Sequence, residues 1–201
     1  MPTLVVSTPP APAGWWQRLL GVLGLAAWFR RPPAGTPTGH EERVLLLLTL
    51  TNAPVRSPEP LDGALVACGP ALAASGGQVV EQHVNRLLLS WPAHYPAAWL
   101  ATYQHLRAHL HQQLGEGPQL YGAATLGLLA PRPSWLAPGY RGAALGQVAG
   151  ILREGRAQGY PLLLSAALHY RLGIAALPCQ LHLAFNLSGH RYPATLYWAQ
   201  A

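Results

Sequence analysis

The sequence predicts one α+β domain with a mixed, mainly antiparallel sheet and packed helices, preceded by a proline-rich extension. Three observations predict this fold class. Residues 43–50 form a continuous apolar run of strand length, residues 95–114 carry apolar side chains at helical spacing, and several strand-like segments follow one another through short turns. Because strands that meet in hairpins pair antiparallel, we expect this arrangement and not a doubly wound parallel sheet.

The first half of the domain alternates strand and helix signals. Turn-forming residues at 52–60 end the first strand, and Gly76-Gly77 stops the helix that follows. Pro70 lies inside that helix and would kink or divide it. The next helix has a single apolar stripe, made of Leu100, Tyr103, Leu106 and Leu110. In chain order, the expected elements are a strand at 43–50, a helix at 61–75, hairpin strands at 78–81 and 86–91, and a helix at 95–114.

The second half begins with strand character at 119–129, followed by a loop at 131–139. A helix is expected at 142–157 and a short strand at 161–164, after which Ser165 caps a further helical turn. Two closing strands, 180–185 and 194–198, flank Ser188-Gly189-His190. We therefore take residues 41–201 as the domain.

Composition and charge exclude several functions. The chain has 201 residues, 50% of them apolar and 10% charged, which fits one globular domain with an extension. Its formal net charge is +6, but the arginines form no basic stripe, and we expect no nucleic-acid partner. The chain contains no lysine, and Asp62 is its single aspartate. A phosphate-binding loop is therefore excluded, and no nucleophile elbow of a serine hydrolase is present.

The two cysteines, Cys68 and Cys179, are far apart in sequence. They are interpreted as free thiols of a reducing compartment that serve as core residues and not as nucleophiles. We accordingly expect a cytoplasmic protein.

Residues 1–40 form a proline-rich extension around a short amphipathic and apolar segment, 15–31. The apolar run 19–29 would span roughly 16 Å as a helix, about half of a bilayer's hydrocarbon core, so it does not cross a membrane. Residues 1–14 carry no charge, whereas a signal peptide would begin with basic residues, and Arg30-Arg31 follow the apolar run. Tryptophans at one end and Arg30-Arg31 at the other suit weak contact with a membrane surface or a partner. The alternatives are a tail folded onto its own domain and a disordered tail.

Two histidines are candidates for metal binding. His105 and His109 lie four residues apart on the long helix, so both imidazoles could reach one ion, and His111 is close by. That helix supplies no Asp or Glu as a third ligand, and a solvated polar face explains the pattern equally.

Three stretches, in the order of the expected elements, resemble the class III nucleotidyl cyclase domain of adenylate and guanylate cyclases. Residues 75–92 carry Gly76-Gly77, a hairpin and a Trp-Pro end; residues 140–165 are similar to a helix and strand of the family; residues 187–198 are similar to its closing hairpin. The resemblance covers most of 43–198. It implies the ferredoxin-like class III cyclase fold.

Carried over residue by residue, the family's catalytic set is missing, which implies a degenerate member. The family holds two metal ions on a pair of aspartates, and it uses a base-selecting lysine, a ribose-orienting asparagine and a transition-state arginine. The corresponding residues here are, in that order, Leu48 and Asn85, Glu81, Gly146, and Gly150. An amide is a poor Mg²⁺ ligand and leucine is none. No acidic residue lies between Arg43 and Arg56, so a small alignment shift restores nothing.

We therefore expect a catalytically inactive cyclase-like domain that acts as a regulatory or interaction module in intracellular signalling of the cyclic-nucleotide type. No cofactor is expected, and the absence of lysine argues against tight nucleoside triphosphate binding. The expected partner is a second copy or another signalling protein. A homodimer would use the hairpin at 78–91 and the helix near 142, where Leu145, Val148 and Leu152 keep an apolar face.

Two alternatives remain. One is an active, divergent cyclase that makes cyclic AMP or cyclic GMP from ATP or GTP, with Mg²⁺ or Mn²⁺ gathered by Glu81, His83 and Asn85. The other is a peripheral membrane-associated binding module led by segment 15–31.

Overall fold

The described part of the chain is built on a sheet of eight strands with helices on both faces. The structure is a computed structural model that describes residues 39–52, 60–132, 139–173, 178–184, 187 and 194–199. The described elements are, in chain order, β1 (Glu41–Thr51), α1 (Pro60–Ala74), β2 (Gln78–His83), β3 (Arg86–Pro92), α2 (Ala98–Leu114), β4 (Gln119–Arg132), β5 (Gly139–Arg141), α3 (Ala143–Gln158), β6 (Leu162–Ser165), α4 (Ala166–Leu172), β7 (Cys179–Ala184) and β8 (Ala194–Ala199).

The sheet is mixed and mainly antiparallel, as the sequence predicts. Its strand order is β2-β3-β1-β4-β6-β8-β7, and β5 pairs with β4 outside this order. Among the described strands, β4 and β6 form the only parallel pair, and α3 lies between them in sequence, as a parallel crossover requires.

Strand β1 is buried on both faces of the sheet. Leu45 and Leu47 belong to the cluster that contains Val148 and Ile151 of α3. Leu48 points to the other face, since a Cβ placed on neighbouring Gly122 would lie 3.2 Å from Leu48 Cδ2 and 3.0 Å from Tyr103 Cε2 of α2. Burial on both faces explains why the sequence of β1 is continuously apolar and does not alternate.

Helix α1 runs through Pro70 without a break. The predicted division of the helix at Pro70 is therefore wrong. Pro70 cannot donate to the carbonyl one turn earlier, but both Pro70 and Val66 lie on the exposed side of the helix, where water can replace the missing donor. The helix ends at Ala74, and Gly76, two residues further on, has a φ of +71°. The N–H of Gly76 donates to Ala73 O and that of Gly77 to Leu72 O, which is a Schellman motif.

Two element boundaries differ from those that the sequence predicts. Helix α2 begins at Ala98, three residues later than expected, and its buried face includes Trp99 and Thr102 while Leu100 is only half-buried. The expected loop at 131–139 is shorter, because β4 continues to Arg132 and β5 starts at Gly139 and pairs back onto β4. The extension at 1–38 and the turn at 188–193 lie outside the described residues.

Ser165 caps α4 as predicted and also joins a buried polar chain. Its Oγ accepts a hydrogen bond from the Leu168 N–H at 3.3 Å and lies 3.0 Å from Thr125 Oγ1. Thr125 Oγ1 lies 3.1 Å from Gln147 Oε1 on α3. If Ser165 donates to Thr125 and Thr125 donates to Gln147, each of these three side chains has a hydrogen-bond partner. These hydrogen bonds connect β4, β6, α3 and α4 at one buried point.

Candidate functional site

The turn between β2 and β3 forms one wall of an open cleft of about 730 Å³. His83 pairs with Arg86, which leaves Val84 and Asn85 as the turn. The carbonyl of Asn85 accepts two hydrogen bonds at 3.0 Å, one from the Leu50 N–H and one from Thr49 Oγ1. The turn is therefore fixed to the end of β1, while the Asn85 side chain is exposed.

Leu48 does not reach this cleft. It is fully buried, its Cδ2 lies near Gly122 of β4 together with Tyr103 of α2, and it is not among the residues that line the cleft. The β1 residue beside Asn85 is Thr49, one position further along, and because side chains alternate along a strand this shift reverses the face. The β1 side of the cleft thus carries a hydroxyl and no carboxylate.

Asp62 is the carboxylate that lines the cleft, a position beside the hairpin that its sequence neighbours do not predict. It lies in the first turn of α1, where the helix dipole favours a negative charge. Gln82 Nε2 of β2 donates a hydrogen bond to Asp62 Oδ1. No local sequence signal predicts this contact, because it joins residues of two elements that only the tertiary fold brings together.

Glu81 and His83 pair with each other on β2. His83 Nε2 lies 2.8 Å from Glu81 Oε1, and both side chains are exposed. An exposed pair of this kind contributes little to stability because water screens it. Among the described residues, no three His, Cys, Asp or Glu side chains gather closely enough to hold a metal ion. The proposed grouping of Glu81, His83 and Asn85 would therefore offer a metal ion one carboxylate and one imidazole, because Asn85 is a neutral amide.

The two glycines of α3 carry no functional group into the site. Gly146 is exposed, and a Cβ placed on it would meet nothing within 4 Å. Gly150 is buried within the chain. Val148 and Leu152 are also buried, in the cluster beneath α3, while Leu145 is partly buried. The expectation that these apolar residues form an exposed dimer face is wrong, because the chain's own sheet covers most of them.

His105 and His109 lie on α2, far along the chain from the hairpin. His105 is exposed and His109 is half-buried, and the buried Nε2 of His109 has no hydrogen-bond partner among the described residues. No third ligand joins them in the part of the chain that the structure describes.

The cysteines are free thiols. Cys68 is buried in α1, in agreement with its prediction as a core residue, and Cys179 is half-buried at the start of β7. Burial raises the pKa of both thiols, which favours the protonated form and makes each a poor nucleophile.

A second cleft of about 760 Å³ lies where β1 begins and β3 ends. Its two arginines are paired with acidic residues. Arg43 is buried, with Nη1 3.2 Å from Glu41 Oε2, and Arg171 Nη2 lies 2.6 Å from Glu42 Oε2. The opposite charges balance, so the lining forms no basic surface.

The order of strands, the crossover at α3 and the Gly76-Gly77 hairpin together define the ferredoxin-like fold of the class III nucleotidyl cyclase domain. Solved structures agree. The chain is similar to the adenylyl cyclase CyaB from P. aeruginosa, with a TM-score of 0.64 and 11% identity over 81% of this chain and 95% of that one. It is similar to the guanylate cyclase domain of RhGC from Catenaria anguillulae in complex with GTP, with a TM-score of 0.63 and 12% identity over 80% and 97%.

A third similar structure is the dimeric guanylyl cyclase domain of the RhoGC fusion protein from Blastocladiella emersonii, with a TM-score of 0.61 and 11% identity over 80% of this chain and 97% of that one. No protein-family model and no curated protein sequence matches the chain. The likeness therefore shows the fold of the domain. Within the described residues, no helix combines the length and apolarity needed to cross a membrane.

Proposed function

We propose that this chain is an adenylate/guanylate cyclase-like domain that does not cyclise nucleotides and acts as a regulatory or interaction module in signalling. One observation carries the proposal. Leu48 and Asn85, where the cyclase resemblance calls for a pair of metal-binding aspartates, carry no carboxylate, and Thr49, the β1 residue that lines the cleft, donates its hydroxyl to the backbone carbonyl of Asn85.

The chemistry of the cleft supports the loss of catalysis. Two-metal cyclisation needs carboxylates that hold the ions, activate the ribose hydroxyl and neutralise the triphosphate. A threonine hydroxyl and an asparagine amide are weak ligands for Mg²⁺. Asp62 lines the same cleft, but its Oδ1 already accepts a hydrogen bond from Gln82. Gly146 and Gly150 offer no side chain that could orient a ribose or stabilise a developing charge.

A homodimer is the simplest partner arrangement for such a module. The similar domain from Blastocladiella emersonii is dimeric, and closed twofold pairs are the commonest assemblies of identical chains. Another signalling protein is the alternative partner.

An active, divergent cyclase is the competing function, and Asp62 is the observation that favours it. Its carboxylate lines one cleft together with His83 and Asn85. If a metal ion displaced Gln82, Asp62 could serve as a ligand in place of the missing aspartates.

One experiment separates the two functions. The purified full chain is titrated with ATP and with GTP by calorimetry, in the presence of Mg²⁺ or Mn²⁺, and cyclic nucleotide is assayed in the same samples. We expect no product above the protein-free control. Product that disappears with a chelator and in the Asp62→Asn variant would establish the divergent cyclase and overturn the proposal.

A further inference from the structure

The two edge strands of the sheet differ in how they are protected against pairing with a strand of another molecule. Strand β2, at one end, has a register shift between Val79 and Glu81 and an exposed glutamate, which are two devices that discourage pairing with another strand. Strand β7, at the other end, pairs with β8 in continuous register from Cys179 to Ala184. It carries no charged residue and no bulge. Among the described strands, only β8 pairs with it.

One face of β7 is apolar and uncovered. Leu181 is 62% exposed and Leu183 is 47% exposed. Leu181 is paired with Tyr197 of β8, whose hydroxyl donates to Tyr170 Oη at 3.2 Å, and Tyr170 is 70% exposed. We call Tyr170, Leu181, Leu183 and Tyr197 the β7 patch.

The opposite face of β7 is occupied within the chain. His182 Nε2 lies 3.0 Å from Glu154 Oε1 of α3, and the His182 ring packs edge-on against Tyr160 at 5.1 Å between centroids. In the part of the chain that the structure describes, one face of β7 thus packs against α3, while no strand pairs with its outer edge and its two leucines are exposed.

We propose that β7 is the homodimer interface of this protein, with the strand paired antiparallel to β7 of a second copy so that the two sheets become one. This proposal does not rest on the loss of catalysis, and it assigns the dimer to a surface other than the hairpin at 78–91.

The geometry of symmetric strand pairing favours a second copy as the occupant. In an antiparallel ladder, only every second residue of an edge strand directs its N–H and C=O outward. A twofold axis therefore pairs odd-numbered residues with odd-numbered residues. With the axis at Leu181, the two Leu181 side chains meet; with the axis at His182, Leu181 meets Leu183 of the other copy. In both registers leucine packs beside leucine, a favourable cross-strand pair.

Charge supports the same occupant. The chain has a net charge of +6, so two copies repel each other at most surfaces. The β7 strand contains no arginine, lysine or acidic residue, and its His182 lies on the covered face beside Glu154. Two β7 strands can therefore approach without opposing like charges.

The first test uses sedimentation equilibrium of the full chain at micromolar concentration. We expect a dimer of the 21.5 kDa chain. The double variant Leu181→Lys and Leu183→Lys should raise the dimer dissociation constant by about tenfold or more, because it places charges on the pairing edge. Val84→Lys is the matched control, since Val84 is 59% exposed in the hairpin turn at the other end of the sheet.

A monomeric wild type would overturn the proposal, as would a dimer that Val84→Lys weakens and the double variant does not. Folding of each variant is checked by circular dichroism and thermal unfolding.

A second test does not depend on how well the lysine variants fold. Leu181→Cys and Leu183→Cys are introduced together in a Cys179→Ser background, and a short bifunctional thiol reagent is added. We expect a covalent dimer, whereas Val84→Cys in the same background should form no covalent dimer. Absence of cross-linking in the β7 variant, or equal cross-linking in the control, would contradict a β7 interface.

Discussion

Trp91 of β3 donates a hydrogen bond from Nε1 to Ser75 Oγ at 3.0 Å, and Ser75 Oγ donates in turn to Leu72 O at 2.8 Å. The indole is fully buried and lies against the backbone of Gly77, leaving no room for a side chain there. The Gly-Gly hairpin that resembles the cyclase motif is therefore required for packing α1 against β3. The presence of these two glycines thus needs no catalytic explanation.

The first prediction is that Gly77→Ala destabilises the protein by roughly 1–3 kcal/mol, the usual cost of overpacking a core. A Cβ on Gly77 would lie 2.2 Å from Leu72 Cδ1 and 2.6 Å from Trp91 Nε1, so buried side chains must move. Chemical denaturation measures the change. Gly117→Ala is the control, because a Cβ at that position meets nothing within 4 Å; equal stability of the two variants would contradict the argument.

The second prediction concerns an attempt to restore the metal site. Thr49→Asp combined with Asn85→Asp should fold but form no cyclic nucleotide, since Glu81, Gly146 and Gly150 still lack the family's groups. Leu48→Asp combined with Asn85→Asp should also be inactive, and it should be markedly less stable because it buries a carboxylate in the core. Cyclic nucleotide assays and thermal unfolding of both pairs check this. Activity in either pair would show that two carboxylates suffice.

The third prediction follows from Tyr103, which is fully buried in α2 with its hydroxyl 3.3 Å from Pro161 O. Burial raises the pKa of Tyr103 to about 12, an effect that the nearby positive charge of Arg107 partly offsets. Because the unfolded state ionises near pH 10, it loses its proton first as the pH rises. The contribution of Tyr103 to stability is therefore complete below pH 10 and is lost between about pH 10 and 12, by up to about 3 kcal/mol.

Tyr103→Phe should remove this part of the alkaline destabilisation. At neutral pH the variant should be about 1 kcal/mol less stable, through loss of the hydrogen bond to Pro161. Denaturation series from pH 7 to 12 compare the two proteins. Parallel curves above pH 10 would contradict an ionisation of Tyr103 coupled to unfolding.

The fourth prediction concerns residues 1–40. Deleting them should leave a domain that unfolds cooperatively and binds anionic vesicles less tightly than the full chain, because segment 15–31 carries the tryptophans and Arg30-Arg31. Vesicle sedimentation at low and high salt measures the binding. Replacing both arginines with serine in the full chain is the control for charge. A deleted chain that fails to fold would show that the extension belongs to the core.

Much of the fold could be predicted because its signals are local. The apolar run of β1, the Gly76-Gly77 helix end and the Ser165 cap each depend on neighbours in sequence, and each is found where it was expected. The cleft could not be predicted in the same way. Thr49 lines the cleft and the neighbouring Leu48 does not, because side chains alternate along β1. Asp62 meets Gln82 only through the packing of α1 on β2. Burial of Val148 and Leu152 likewise depends on which face of α3 meets the sheet, and helical periodicity alone does not tell a covered face from an exposed one.

The small number of paired residues at β6 determines which part of the sheet opens first. Strand β6 pairs three residues with β4 and three with β8, whereas β1 and β4 are paired along eleven positions. Among the described strands, β6, with its four residues, is the only strand that joins the β2-β3-β1-β4 part of the sheet to the β8-β7 part. Partial opening at Leu162–Ser165 would release the C-terminal hairpin as one cooperative unit and leave the larger part of the sheet closed. Amide protons of β7 and β8 should accordingly exchange with solvent through a smaller opening than those of β1, so that the pairing edge could detach from the domain before the domain itself unfolds.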